Sequence, residues 1–269
     1  MIGLTRQAFY KRQKYQSKAR LQFYTKADDS EVLAKIQGVI QIRPSYGYKR
    51  VTAMVNQKQI VAEKYNKKRI YRVMKKEGLL LPANMSSRKV HPGTGKIITL
   101  HSNTRWCSDC FEIECYNDER VYVAFSLDCR DREVMSYVAT QTDITQVEIQ
   151  NLMIQTVEAR FGKSKAPREI QWLTDRGSVY RAIETQKLAR SLGLKPCFTA
   201  AYSPASNGMA ESLVKTIKRD YVYTNDCASA DWVLRELPKW FDDYNNHAPH
   251  SGLDMLSPRQ YLQSINLTR

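Results

Sequence analysis

The stretch from Trp106 to Thr140 constrains the fold of this chain more than any other. Three runs rich in Val, Tyr, Phe and Ile lie there: Trp106 to Tyr116, Arg120 to Cys129 and Glu133 to Thr140. Turns at Asn117-Asp118 and Arg130-Asp131 separate them. Such runs, broken by turn-forming residues, predict three strands in a meander. Helical and strand-like segments then alternate. Thr145 to Arg160 predicts an amphipathic helix carrying Val147, Leu152, Ile154 and Val157, and Glu169 to Thr174 a short buried strand. Ala182 to Leu192 predicts a helix, Leu194 to Phe198 a strand, and Asn207 to Tyr221 another helix. Asp231 to Asn246 predicts a last long helix with Trp232, Leu237, Trp240 and Phe241. Periodicity alone therefore predicts a mixed α/β domain.

Three carboxylates sit at informative places in this pattern. Asp109 lies inside the first strand, in Trp106-Cys107-Ser108-Asp109. Asp175 follows a buried strand, where Leu173-Thr174 gives way to Arg176-Gly177-Ser178. Glu211 lies where the loop Ser203-Pro204-Ala205-Ser206-Asn207-Gly208 becomes a helix. Each has an ordinary explanation by itself: a turn aspartate for Asp175, a helix-dipole partner for Glu211. Asp109 has the weakest one, because a carboxylate flanked by Trp106 and Phe111 in a strand is costly to bury unpaired. Converging from two strands and a helix, the three would form an all-oxygen metal site, which suits Mg²⁺ or Mn²⁺ rather than zinc. Such a site supports two-metal phosphoryl transfer.

These motifs resemble the OrfB-type DDE transposases of bacterial insertion sequences, whose catalytic core is similar to that of retroviral integrases. The resemblance runs from about Tyr46 to Tyr261. It rests on Trp106-Cys107-Ser108-Asp109, on Thr174-Asp175-Arg176-Gly177-Ser178, and on Ser203-Pro204 through Lys218. Tyr244-Asn245-Asn246-His247-Ala248-Pro249-His250-Ser251 and Ser257-Pro258-Arg259-Gln260-Tyr261 complete it. Cys110 and Ala248 stand where relatives often carry other residues, and neither is one of the three acids. The resemblance implies an α/β, ribonuclease-H-like (integrase) catalytic core preceded by a small all-α helix-turn-helix region. It implies Asp109, Asp175 and Glu211 as catalytic and metal-binding residues, with two Mg²⁺ (or Mn²⁺) ions per site. The implied activity is strand cleavage and strand transfer at the ends of an insertion element, through a circular intermediate, with no covalent protein–DNA bond. A homo-oligomer is expected, since two element ends must meet. An upstream-frame product, separate or fused, is expected to supply end recognition; the chain starts at Met1 with no leucine zipper, so by itself it should join specific ends poorly.

Charge divides the chain. Residues 1–100 hold 22 Lys+Arg against 5 Asp+Glu, and residues 101–269 hold 20 against 22, so the whole excess of +15 lies in the first third. That asymmetry predicts a polyanion-binding segment joined to a domain of different purpose; the resemblance implies that the partner is double-stranded DNA, terminal repeats and target. The expected division is a basic helical segment at 1–40, a helix-turn-helix at 41–81, a basic linker at 82–104 and the catalytic core with a helical tail at 105–265. Leu4 to Tyr10 reads as the end of a helical module. Ser30 is expected to cap a helix with Val32, Leu33, Ile36, Val39 and Ile40 on one face. Tyr48 to Asn56 should bury Val51, Met54 and Val55. Asn66 should cap a helix burying Ile70, Val73 and Met74, ended by Gly78. The outer side of that helix would present Lys67, Lys68, Arg69, Arg72, Lys75 and Lys76 to DNA phosphates.

Near the acidic residues, Lys215 and Lys218 fall at i+4 and i+7 from Glu211, placed to hold DNA or merely to pair with Glu211. Asn207, Gly208 and Arg176 are further candidates for DNA contact. Cys107 and Cys110 frame Asp109 as Cys-x-x-Cys, but residues i and i+3 of a strand face opposite ways, which argues against zinc. His247 and His250 read as a surface loop. No apolar run approaches a membrane span and residues 1–14 lack a signal-peptide core, so a cytoplasmic protein with reduced thiols and no membrane partner is expected. Two other readings stay open: a catalytically silent DNA-binding regulator, and a hydrolytic nuclease of the same fold.

Overall fold

Strand alternation decides which residues of the central sheet meet which helices. The computed structural model describes residues 25–57, 63–82, 99–199 and 207–267. The helical end at Leu4 to Tyr10, most of the linker and Ser203 to Ser206 lie outside these residues. The chain divides into two units, Met1–Ala83 and Asn84–Arg269.

In the first unit, α1 (Asp29–Ile42), α2 (Tyr48–Gln57) and α3 (Lys67–Lys76) bury Val32, Ile36, Val51, Val55, Ile70, Val73 and Met74 in one core. α1 runs across the boundary drawn at residue 40. Its N-cap is Asp28, not Ser30, which falls inside the first turn. The cause is Asp29, whose carboxylate accepts from the Lys26 amide and from the guanidinium groups of Arg69 and Arg72, fixing the helix start two residues early. In α3 the Asn66 side chain accepts the Lys68 amide at 2.9 Å. Gly78 takes φ +68°, and the Leu79 amide donates back to Met74 O at 2.8 Å, closing the helix.

The second unit is built on a five-stranded sheet in the order β3-β2-β1-β4-β5. Its strands are β1 (Arg105–Glu114), β2 (Arg120–Asp128), β3 (Val134–Thr140), β4 (Ile170–Thr174) and β5 (Leu194–Phe198). β1, β2 and β3 pair antiparallel, whereas β4 joins β1 in parallel and β5 joins β4 in parallel. A meander extended by two parallel crossover strands is the order of a ribonuclease-H-like core.

Odd-numbered residues of β1 and β2 (Cys107, Phe111, Ile113, Val121, Val123, Phe125, Leu127) face one apolar layer. That layer is closed by α7 (Gly208–Ile217) and α8 (Ala230–Asn246) through Leu213, Ile217, Leu237, Trp240 and Phe241. Trp106 and Ala124 face the opposite layer with Ile170 and Trp172. There α4 (Gln146–Phe161) buries Ile149, Leu152, Met153, Thr156 and Val157. Val147 was expected inside but is 58% exposed: it lies two residues, about 200°, from Ile149 on the helix. α4 starts where expected, Thr145 and Glu148 forming a reciprocal capping box.

The helix expected from Ala182 to Leu192 is α6 (Ile183–Ser191), bounded by those two residues; ahead of it lies a short helix that was not expected, α5 (Ser178–Arg181), parted from it by an extended Ala182. In one straight helix Tyr180 and Ala189, nine residues apart, would point about 180° away from each other. The break lets both face the sheet, where both are buried. The helix from residue 207 also differs from expectation. α7 stops at Ile217 and a π-helical turn, Lys218–Val222, follows. A final helix, α9 (Pro258–Leu267), lies beyond a 3₁₀ turn at Ser251–Leu253.

Candidate active site

Asp109 is an odd-numbered residue of β1, so its side chain leaves the central strand on the face that α7 covers. The parallel register ends with Cys107 opposite Leu173; carried on two residues, it brings Asp109 level with Asp175, just past β4. Glu211 projects from the first turn of α7. The apolar face of β1 is interrupted between Cys107 and Phe111 by this one carboxylate.

Each carboxylate has a local partner. Asp109 accepts the Cys110 amide at 2.9 Å. Asp175 accepts the Gly177 amide at 2.9 Å. A Cβ on Gly177 would stand 3.1 Å from Asp175 Oδ1, a tight approach from which the carboxylate would have to shift by a few tenths of an ångström. Glu211 receives Lys215 Nζ at 3.4 Å, the i, i+4 pair anticipated as the plain alternative to a DNA role. Desolvation pushes the Asp109 carboxyl up to about 6; the Cys110 amide opposes this, and the charges of Asp175 and Glu211 add to it. Asp109 thus lies within reach of the charges of the other two carboxylates. Among the described residues no three His, Cys, Asp or Glu groups stand close enough to close round one ion as they are.

Tyr180 was missed in the sequence. Its ring is buried and its hydroxyl bonds Ser108 Oγ at 2.9 Å and Cys110 Sγ at 3.5 Å. Those two residues flank Asp109, so the tyrosine pins the strand on both sides of the carboxylate from the opposite face. The only signal for it was an aromatic three residues past Gly177, in a segment assigned to no element. Cys107 is buried in the α7 and α8 layer, whereas Cys110 turns toward Tyr180, so the two thiols do face opposite ways. His250 packs edge-on against Tyr244, with ring centres 4.7 Å apart, rather than standing in an open loop.

The expected DNA-contact residues divide. Lys67, Lys68, Lys75 and Lys76 are exposed along α3. Arg69 and Arg72 are not on that outer side. They turn onto the start of α1, where Arg69 meets Asp28 at 2.6 Å and Arg72 meets Asp29 at 2.8 Å. Positions 69 and 72 lie one turn apart on the flank next to Ile70 and Val73, within reach of α1. Arg176 is exposed and donates to Thr199 O at 3.1 Å. Asn207 is buried at the head of α7 without a side-chain cap bond. Lys218 opens the π turn and is half-exposed.

Comparison with known proteins agrees with this architecture. The integrase core domain family matches over residues 100–204, and a second family of the same description over 192–258. An HTH-like domain family matches residues 26–84. The chain is 44% identical to the transposase InsD of insertion element IS2A/D/F/H/I/K of Escherichia coli, covering 88% of this chain and 79% of that protein. It is equally similar to the InsD transposase of element IS2-9 of Escherichia coli K12, covering 78% of it. Among solved structures, the simian T-cell lymphotropic virus intasome in complex with PP2A regulatory subunit B56 gamma superposes with a TM-score of 0.51. Identity there is 16%, over 84% of this chain and 73% of that one.

Proposed function

This chain belongs to the insertion-element transposases with an integrase core, and from that premise we propose that Asp109, Asp175 and Glu211 are the residues that carry its phosphoryl transfer on DNA. The observation that carries the proposal is the placement of Asp109. A carboxylate in the middle of the central strand, on an otherwise apolar face, interacts with the charges of two more carboxylates from different elements. No arginine or lysine neutralises Asp109 or Asp175 among the described residues, and a uniform oxygen donor set fits a hard divalent cation. The metal we assign is Mg²⁺, with Mn²⁺ as substitute, and two ions per site; when bound they would stabilise charge on the phosphoryl oxygens and acidify the attacking hydroxyl.

The residues themselves do the rest. Asp109, held by a rigid central strand and by Tyr180 behind it, would be the most firmly positioned of the three metal-holding carboxylates. Asp175 is the ligand most able to move, since only the turn to Gly177 holds it. Glu211 would hold metal in place of its pairing with Lys215, and Lys215 would then be placed to meet a DNA phosphate beside the site. No side chain serves as a covalent nucleophile. Water attacks in cleavage and a DNA 3′-hydroxyl attacks in joining.

In the first unit, Lys67, Lys68, Lys75 and Lys76 form the DNA-facing row. Arg69 and Arg72 support it by fixing α3 to α1. Bringing two element ends together calls for a homo-oligomer, and end recognition calls for the upstream-frame product. The activity belongs in the cytoplasm with the chromosome; among the described residues no helix is long and apolar enough to cross a membrane.

The test is a strand-transfer assay with labelled element-end DNA and Mg²⁺, with and without the upstream product, comparing wild type with Glu211→Gln. Joined products that vanish in the variant support the proposal. Joining that persists in the variant overturns the role of Glu211. Cleavage without joining in wild type points to a purely hydrolytic enzyme.

A further inference from the structure

The π-helical turn after α7 places one aromatic ring where a regular helix would not. From Glu211, positions 215, 218 and 222 continue one stripe of an α-helix at spacings of four, seven and eleven. A regular helix would therefore send Val222 outward with Lys215 and Lys218. Instead the Tyr223 amide donates to Lys218 O at 2.8 Å, five residues back, and one extra residue enters the turn. Val222 rotates inward to 8% exposure, and Tyr223 emerges at 74%. Such insertions frequently mark functional sites.

Tyr223 has a counterpart. The turn after β1 exposes Tyr116 to 76%, and the Tyr116 amide donates to Cys227 O at 2.9 Å, fixing that turn to the segment just past Tyr223. The two rings and Lys218 line one open cleft of about 550 Å³. Neither ring has a stacking or hydroxyl partner among the described residues. Two carboxylates at its rim, Glu112 and Glu114, are both bridged by Arg120, at 3.4 and 3.0 Å. The cleft thus offers two uncommitted aromatic faces, one ammonium group and a rim of paired charges. That is the chemistry of a flat, uncharged ring tethered to a phosphate.

We propose that Tyr116 and Tyr223 form a stacking site for an unpaired nucleobase of the DNA end, with Lys218 on the adjoining phosphate. Tyr223 lies twelve residues beyond Glu211, roughly 18 Å along the axis. At 3.4 Å per nucleotide, that is about five nucleotides of one strand from the reacting phosphate. The site rests on Glu211 belonging to the reaction centre, and it captures one strand where the duplex opens.

The experiment measures affinity of the full chain, without divalent metal, for two short fluorescein-labelled probes of one sequence. One is fully paired and the other carries three unpaired bases at one end. Wild type is expected to prefer the opened probe. Tyr223→Ala and Tyr116→Ala should each lower affinity for it roughly 5- to 150-fold, the range of base–aromatic stacking. Tyr223→Trp should retain the preference, and affinity for the paired probe should not move. Because both rings are exposed, the variants should melt with wild type, which separates misfolding from lost stacking. Equal affinity of wild type for both probes overturns the site, as does a preference that survives both alanine variants. A change of oligomeric state in Tyr223→Ala with the preference intact overturns it in favour of a protein interface. Running the pair in Glu211→Gln as well keeps the two ideas apart: an inactive chain that still prefers opened ends supports stacking whatever the carboxylates do.

Discussion

Asn245 and Val134 bond in both directions: the Val134 amide donates to Asn245 Oδ1 at 3.0 Å, and Asn245 Nδ2 donates to Val134 O at 2.8 Å. One side chain of α8 thereby acts as a strand partner at the start of β3, the edge strand of the sheet. The pair is buried, and an unpaired edge would otherwise leave these backbone groups unsatisfied. It also locks α8 over the layer from which Asp109 projects.

Asn245→Ala should therefore lower stability by about 1–3 kcal/mol, the cost of a buried donor and acceptor left unmade. Chemical denaturation of the full chain checks this, with Asn117→Ala in an exposed turn as the comparison, expected within about 0.5 kcal/mol of wild type.

Arg72 and Lys75 are both cations of α3, yet their loss should read out differently. Arg72→Gln breaks a contact with Asp29 and should lower the melting temperature of the first unit. Lys75→Gln should leave melting unchanged and reduce the slope of log affinity against log salt by about 0.9, one phosphate contact. A reversed pattern would return Arg72 to the DNA-facing row.

Asp29 sets a pH dependence. Burial pushes its carboxyl up, but hydrogen bonds from Arg72, from the Lys26 amide and from Arg69 outweigh that and hold it at about 2. A carboxyl depressed in the folded state stabilises it above the usual value near 4, and that contribution is lost as pH falls from about 4 to 2. Asp29→Asn should remove this loss, so wild type and variant should converge in melting temperature toward pH 2 and diverge above pH 4.

Mn²⁺ binding can be read without catalysis. At about 100 times its dissociation constant, a ligand of the folded state adds roughly 2.7 kcal/mol of stability. Mn²⁺ should raise the melting temperature of wild type, and Asp109→Asn should abolish the rise. A shift equal to wild type in that variant would place the metal elsewhere.

Tyr180→Phe removes the hydroxyl that bonds Ser108 and Cys110 while keeping the ring. Strand transfer should fall and DNA affinity without metal should stay. The Mn²⁺-induced melting shift should shrink, a readout that a general packing defect would not move selectively.

How much of this was legible in the sequence follows from the reach of each interaction. Local ones were legible. The Asn66 cap and Gly78 stop of α3, the Thr145 start of α4 and the three strands of the meander depend on neighbours within a few residues. Interactions across the fold were not. The start of α1 depends on Arg69 and Arg72, some forty residues on, so Ser30 looked the better cap. Val147 was apolar but out of phase with its helix. The short α5 ahead of Ala182 answers to a sheet that Tyr180 must face as well as Ala189. Of the candidate site, three carboxylates stood out by their flanking residues; their field at Asp109 and the tyrosine behind it did not.

By itself the sequence determined the type of each main element, the order of strands and helices, and the gathering of positive charge in the first third, because period, caps and composition are local properties. Tertiary structure alone decided which of six cations on α3 turn inward, and that Tyr223 rather than Val222 meets solvent. Those outcomes depend on a partner carboxylate far along the chain and on a hydrogen bond reaching five residues back instead of four, neither of which a residue's own neighbours specify.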